Sequence, residues 1–408
     1  METHAHWAQY TGWVFPNETI IDWTVLLAVY PYLTGLVAGA FTVSSLYQVF
    51  GFERLRPVAH LALLTSLSCM LFVPLPLLLH LGQPLNAMNA MITPHLTSAM
   101  AMFGFFATFY VVLLMLELWF AYRPFIVEQA QKRTDLLGKV YKLLTLGSYD
   151  VSERALAIDK KWVFGLAVIG IPGAHGLHGY VGFLFGSLKS REWWSSDLMP
   201  VIFLFSAIIS GVSLLIVLYV VTCKLRRVEI DLACLKGMAY TVWAFIMVAF
   251  VLEWLEFANI VYKGREGVDM IMEFVTGPLL VPYFVLQFGI GAALPMLWLT
   301  YMIWRGTTGR ALVVGVTTSA SLVLFSVFMM RWNVVIGGQQ LSKTGRGLVF
   351  YDLPFWGQEG ALVAILLTIA PLVVLWILTK VFPPWDDSHG HHGSDGHSHG
   401  TPGLAAAH

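Results

Sequence analysis

The chain has 408 residues, of which 57% are hydrophobic and 12% charged, with a mean hydropathy of +0.71. That balance excludes an ordinary soluble domain, in which charged residues are about twice as frequent. The 24 Lys and Arg are matched by 24 Asp and Glu, so no charge excess points to nucleic acid.

A spanning helix needs about 20 mostly apolar residues. Nine runs meet that length, at 22–50, 58–80, 97–121, 162–185, 198–223, 235–262, 274–304, 311–330 and 359–382. The expected domains are an outer N-terminal segment at 1–21, a polytopic transmembrane domain at 22–382 and a disordered tail at 383–408. The first run begins at Asp22 with no basic stretch and no small-residue cleavage site before it, so it reads as a true span. Beyond the second run come His80, Gln83, Asn86, Asn89 and His95. The third run carries Glu117 near its end. The basic stretch 122–161 follows, with an amphipathic segment that sets Leu136, Leu137, Val140, Leu143 and Leu144 against Lys132, Arg133, Lys139 and Lys142. That pattern suits a helix lying in the bilayer interface.

The fourth run holds Gly170-Ile171-Pro172-Gly173-Ala174-His175-Gly176-Leu177-His178-Gly179-Tyr180, the most informative stretch of the chain. His175 and His178, three apart, share one helical face. Polar groups inside an apolar span are costly and mark function by default. The plainer reading is that both histidines cap a helix end and bond to neighbours. The sixth run ends on Glu253 and Glu256, one turn apart and suited to passing protons, although a helix-end glutamate also reaches the headgroups unaided. Gly277-Pro278 and Leu294-Pro295 interrupt the seventh run. Arg331, Trp332, Asn333, Gln339 and Gln340 open the last outer loop. The tail carries His389, His391, His392, His397 and His399, a composition that builds no core. Weak metal binding there is the alternative to a passive tail, and no metal site is expected elsewhere.

Nine spans with 17 of the 24 Lys and Arg on the odd-numbered loops and the C-terminus place those in the cytoplasm and the N-terminus outside. The unusual residues then gather at the outer side. His, Glu, Arg, Asn and aromatics there suit a flat apolar ligand with two oxygen ends, which describes a quinone. Histidine exchanges protons near neutral pH and a carboxylate behind it passes them on. The three cysteines, Cys69, Cys223 and Cys234, form no C-x-x-C, so neither an iron–sulfur cluster nor covalent haem is expected. His80 and His178 are the one conceivable ligand pair for a b-type haem, and His60 is the single histidine of the spans' cytoplasmic half.

The run I-P-G-A-H-G-L-H-G-Y-V-G-F-L-F-G from Ile171, with W-W-S-S-D-L-M-P and S-A-I-I-S-G after it, resembles the NrfD/PsrC family of membrane quinone-interacting subunits. It is nearest to the larger branch that includes DsrP and HybB. Gly35-x-x-x-Gly39 in the first span, His80-Leu81-Gly82-Gln83-Pro84 and Arg331-Trp332-Asn333-Val334-Val335 agree, so the likeness covers roughly 22–382. Members of that branch often have ten spans, and here no helix precedes residue 22. The expected architecture is an all-α integral membrane protein of about nine transmembrane helices (eight to ten), as two four-helix bundles plus a peripheral C-terminal helix.

The resemblance implies a quinol:acceptor oxidoreductase subunit, active only within a complex of the bacterial or archaeal inner membrane. It would exchange electrons between the quinone or menaquinone pool and a periplasmic ferredoxin-like iron–sulfur subunit, without haem or cluster of its own. In the DsrP-like case, cytochrome b, multihaem cytochrome c and cytoplasmic iron–sulfur subunits join it in dissimilatory sulfur metabolism. By position, His80, His178 and Tyr180 would line or approach the quinone, with His175 as a weaker candidate and Arg331 and Asn333 behind. Glu253 and Glu256 are added from the residues alone, with His178, as the catalytic proton-handling groups. The rival readings are a secondary transporter, for which Gly/Pro breaks and intramembrane carboxylates also speak, a haem b quinol-oxidising subunit, and a purely structural anchor.

Overall fold

A computed structural model describes residues 10–95, 97–264 and 268–385. The His-rich tract and the rest of the tail beyond Trp385 lie outside the described residues.

The helices that run through the molecule are α1 (Leu26–Gln48), α2 (Glu53–His80), α3 (Ala99–Lys132), α5 (Glu153–Gly186), α6 (Met199–Arg226), α7 (Leu232–Lys263), α9 (Leu280–Trp304), α10 (Gly309–Gln340) and α11 (Ala361–Val381). Two shorter ones, α4 (Leu136–Leu144) and α8 (Val268–Thr276), lie between them. Among the described residues eight of the long helices are apolar enough to cross a membrane. The remaining long one is α5, of 34 residues. Its glycines and two histidines dilute an otherwise apolar run, so its polarity comes from the same residues that the sequence marks as functional.

Strand β1 (Tyr10–Trp13) pairs antiparallel with β2 (Arg346–Val349), Tyr10 opposite Val349. The N-terminal segment and the loop before α11 therefore share one face of the molecule, here the amino face. The opposite, carboxyl face holds the end of α11, tied down by Tyr122 and Tyr141, whose hydroxyls donate to the carbonyls of Pro383 (3.1 Å) and Val381 (2.6 Å). This parity is the one that nine crossings require.

Helices α1, α2, α3 and α5 pack as one bundle, α6, α7, α9 and α10 as a second, and α11 lies against α2. With α5 also packed on α6, the join between them is chiefly α1 on α6. There a side chain on Gly39 would overlap the Ala207 carbonyl, and one on Gly211 would overlap Gly39 itself. Small residues let the two backbones touch, the usual means of gaining packing where lipid gives helices no hydrophobic reason to associate. Consequently α1 is almost wholly buried, from Leu26 to Phe41. By contrast α7, α9 and α11 turn Val251, Leu297 and Val373 outward, as lipid-facing surfaces do. On the carboxyl face α4 exposes Leu136 and Leu143 while burying Tyr141, the disposition of an interfacial helix.

Two helices contain π-helical segments, Leu280–Ala293 in α9 and Asn333–Gly337 in α10. The second changes the reading of the sequence at one point. Arg331, Trp332 and Asn333 do not open a loop: the helix continues through them to Gln340, so Arg331 and Asn333 lie in the interior.

Candidate functional site

The site lies where α5, α6, α7, α9 and α10 converge, in the half of the molecule nearer the amino face. Its centre is Arg331, fully buried. Its Nη2 donates to Ser206 Oγ at 2.5 Å and lies 3.0 Å from His178 Nε2. A guanidinium can only donate, so His178 accepts through Nε2 and carries its proton on Nδ1. Ser206 in turn donates to the Phe203 carbonyl at 2.8 Å. The Phe203 ring supports both partners: the Arg331 carbon is 3.9 Å from its centroid, and the His178 ring lies over it at 5.6 Å. A desolvated cation over an aromatic face gains about 2 kcal/mol. His178 reaches this point because Gly35 on α1 leaves room for its imidazole.

Among the described residues no carboxylate pairs with Arg331. Burying a charge costs several kcal/mol unless it is fully compensated. Here Arg331 Nε, His178 Nδ1 and Asn333 Oδ1 are all buried without a hydrogen-bond partner. Two donors and one acceptor left open in one buried cluster are what a bound polar group would satisfy.

A second line of contacts connects Asn333 to Glu253. Asn333 Nδ2 donates to Gln287 Oε1 at 2.8 Å, and Gln287 Nε2 donates to Glu253 Oε2 at 2.6 Å. The two π segments make this contact, Asn333 beginning one and Gln287 lying in the other. A π turn displaces carbonyls from their usual partners, and two of them accept from side chains instead: Pro282 from Asn333 (3.1 Å) and Gln287 from Ser326 (3.0 Å). Such segments recur at functional sites for this reason. Beside the network runs a narrow cleft of about 50 Å³, open to the outside and lined by Glu253, Phe257, Tyr283, Met330 and Asn333 among others. It is mostly apolar, with the two amides and the carboxylates of Glu253 and Glu256 at its wall.

A loop from the amino face covers the site. Trp193 and Trp194 donate to the carbonyls of Asn333 (3.2 Å) and Val334 (2.5 Å). Arg191 donates to those of Gly338, Gln339 and Leu341, and meets Glu18 at 3.4 Å. Burial pulls Arg191 below the ordinary arginine range, with Glu18 opposing that shift. The end of α10 is thus capped from outside, which holds the π segment in place.

Of the residues singled out in the sequence, His178, Arg331, Asn333 and Glu253 come together. Glu256 lies one turn beyond Glu253, on the cleft and on a wider polar vestibule with Lys189, Glu192, Asp197 and Lys263. His175 sits one turn below His178, its Nδ1 2.8 Å from the Ile171 carbonyl and its Nε2 3.5 Å from Thr42 Oγ1. Tyr180 donates to the Ala99 carbonyl, and His80 pairs with Glu359 at 2.8 Å. Neither touches the cluster. Sequence reasoning missed Gln287, Ser206 and Phe203. Gln287 was findable as the lone amide of an apolar run, and Ser206 as the first serine of S-A-I-I-S-G. Phe203 gives no signal among 27 phenylalanines.

Comparison with known proteins places this geometry. The family model described as "Polysulphide reductase, NrfD" matches residues 14–342, which contain every element of the cluster. The chain belongs to the NrfD family. As an NrfD-family protein it is a multi-pass membrane protein, in agreement with its apolar helices. It is 28% identical over 390 residues to a selenate reductase subunit of Mesobacillus selenatarsenatis, covering 91% of this chain and 89% of that one. It is 25% identical to a putative dimethyl sulfoxide reductase membrane subunit of Halobacterium salinarum, over 79% of this chain and 70% of the relative. A third relative, the "Hdr-like menaquinol oxidoreductase integral membrane subunit" of Archaeoglobus fulgidus, is 24% identical over 78% and 71% respectively. The relatives are named as subunits of reductases and oxidoreductases, two of them expressly as membrane subunits.

Proposed function

We propose that the chain exchanges electrons between a membrane quinone pool, menaquinone in the first instance, and an iron–sulfur partner docked on the amino face. The observation that carries this reading is Arg331: a fully buried guanidinium with no carboxylate partner among the described residues, touching a histidine, and set behind Met330 and Asn333, which line an apolar cleft. A quinone ring with two oxygen ends matches it. One oxygen would take a hydrogen bond from the Arg331–His178 end, and a quinol hydroxyl would donate to Asn333 Oδ1. Gln287 orients Asn333, and Glu253 sits within one amide of it to accept or return a proton. Glu256 leads from there to the vestibule. Bound quinone supplies the two-electron chemistry, and the chain's own groups position the ring, exclude water and handle protons.

The amino face corresponds to the periplasmic or outer side by the distribution of Lys and Arg. A ferredoxin-like partner there is consistent with the relatives' names as reductase subunits. Cytochrome b, multihaem cytochrome c and cytoplasmic iron–sulfur subunits, and a place in sulfur metabolism, extend the reading to the DsrP-like arrangement. The test is His178→Ala in the assembled complex. Loss of about thirtyfold or more in quinone-linked turnover is expected from removing one buried hydrogen-bonding partner of a charge, at about 2 kcal/mol or more, with subunit stoichiometry unchanged. Near-normal turnover in that variant would sink the assignment.

A further inference from the structure

Glu117 has no part in the cluster described above, yet it is completely buried and neither of its carboxylate oxygens has a hydrogen-bond partner. It sits on α3, inside Trp119, which donates to the Leu144 carbonyl, and Tyr122, which donates to that of Pro383, both at the carboxyl face. Among the described residues no Lys, Arg or His reaches it. A carboxylate kept only for structure would be paired, and an ionisable group left open inside a span is a functional group until shown otherwise.

Other open groups stand along the same interface. Two turns toward the amino face on the same side of α3, about 10 Å along the axis, Tyr110 is also completely buried with an unpartnered hydroxyl. Its ring packs edge-on against Phe41 of α1 at 5.6 Å and lies against Gly173 of α5. Two residues beyond Gly173 is His175, which approaches Thr42 of α1. One turn beyond His175 is His178, whose open Nδ1 belongs to the site. Proton-carrying side chains therefore follow one another from α3 to α5, beginning near the carboxyl face and ending at the cluster. Between the levels of Tyr110 and Glu117, Phe41 and Leu113 close over Gly170. An apolar constriction of this kind shuts a hydrated path until a side chain moves.

We propose that Glu117 is the carboxyl-face end of a proton route that runs through Tyr110 and His175 to His178. The proposal rests on the quinone reading. Reduction of quinone to quinol takes two electrons and two protons, and its reversal releases both. The electrons pass to or from the iron–sulfur partner at the amino face. The protons enter or leave through Glu117, so each turnover separates charge across the membrane. The vestibule beside Glu256 is the competing exit, on the same side as the electrons.

The experiment uses the intact complex in proteoliposomes, a short-chain quinone, and a pH-reporting dye placed first inside and then outside. Proton exchange by the unmodified complex is expected at the carboxyl face. Glu117→Gln should slow that exchange by at least about tenfold, the low end of what a positioned acid–base group contributes. Tyr110→Phe should slow it less. Binding of a quinone analogue should change by less than about twofold in either variant, taking a 1.4 kcal/mol loss as a factor of ten. If Glu117→Gln fails to assemble, Tyr110→Phe makes the same comparison. Exchange confined to the amino face, or an undiminished rate at the carboxyl face in these variants, overturns the route. An analogue that binds equally well without Arg331 would instead overturn the quinone reading, so the two failures are distinguishable.

Discussion

Two arginines are buried among the described residues, and they are handled differently. Arg123, near the carboxyl face, has its Nε 2.9 and 3.0 Å from the two oxygens of Asp159, and its Nη2 donates to the Asp150 carbonyl at 2.8 Å. Arg331, in the other bundle, has a serine, a histidine, a methionine sulfur and a phenylalanine ring instead. The first has its counter-charge built in, between α3 and the start of α5. The second makes no ion pair among the described residues, its nearest carboxylate, Glu253, standing across the cluster; each arginine leaves one donor open, Nη1 of Arg123 and Nε of Arg331. A neutralised pair is finished as a structure, whereas the proposed function has a cation without an ion pair, behind a cleft, serve a ligand. Under the proposed function, the difference assigns stability to one and binding to the other.

Substitutions can break that division. Arg331→Met should cut quinone-linked turnover by about thirtyfold or more if a buried charge-assisted contact worth about 2–5 kcal/mol is lost. The melting temperature of the purified complex should hold or rise, since an uncompensated buried charge is gone. Arg123→Met should do the reverse. It strands Asp159 in the interior at a cost of about 3–5 kcal/mol, read as a lower melting temperature. Turnover per folded complex should stay near normal, and Arg123→Met combined with Asp159→Leu should recover most of the loss.

A smaller effect sharpens the part played by the π segment. Gln287→Leu removes the link between Asn333 and Glu253 and leaves the Asn333 amide short of one partner, a cost of about 1–3 kcal/mol. The expected readout is weaker binding of a quinone analogue with assembly intact. The smallest is Trp194→Phe, which deletes the indole bond to the Val334 carbonyl and should cost about 1 kcal/mol. It should lower the melting temperature slightly and affect turnover only through the shape of α10. A larger effect on turnover than that of Gln287→Leu would mean that the capping loop, and not the amide network, sets the cleft's geometry.

How much of this was legible beforehand follows from which signals are local. The spans are long apolar runs, and their parity follows from counting them. His178, Arg331, Asn333 and Glu253 stood out because each is polar against an apolar background. What one dimension conceals is which polar residues converge. His80 and Tyr180 looked equivalent to His178 by position, but each has its polar contact elsewhere, at Glu359 and the Ala99 carbonyl. Arg331 looked like a loop residue because charge usually ends a span. Here the helix runs on because the Arg191 loop caps its far end, and no periodicity within 311–340 carries that information. The pairing of Tyr10–Trp13 with Arg346–Val349 is equally invisible, since two short strands that distant in sequence share no pattern. Phe203 shows the limit most plainly, one aromatic ring among many, identified only by what rests on it.

The most direct test of the account is where a photoreactive quinone analogue attaches in the assembled complex. The cleft lies between α7, α9 and α10, so crosslinks should map to peptides around Glu253–Phe257 and Met330–Val334 and disappear in Arg331→Met. Crosslinks confined to the apolar groove at Phe105, Phe109 and Gly176, or to the neighbourhood of His80, and unchanged in Arg331→Met, would contradict it.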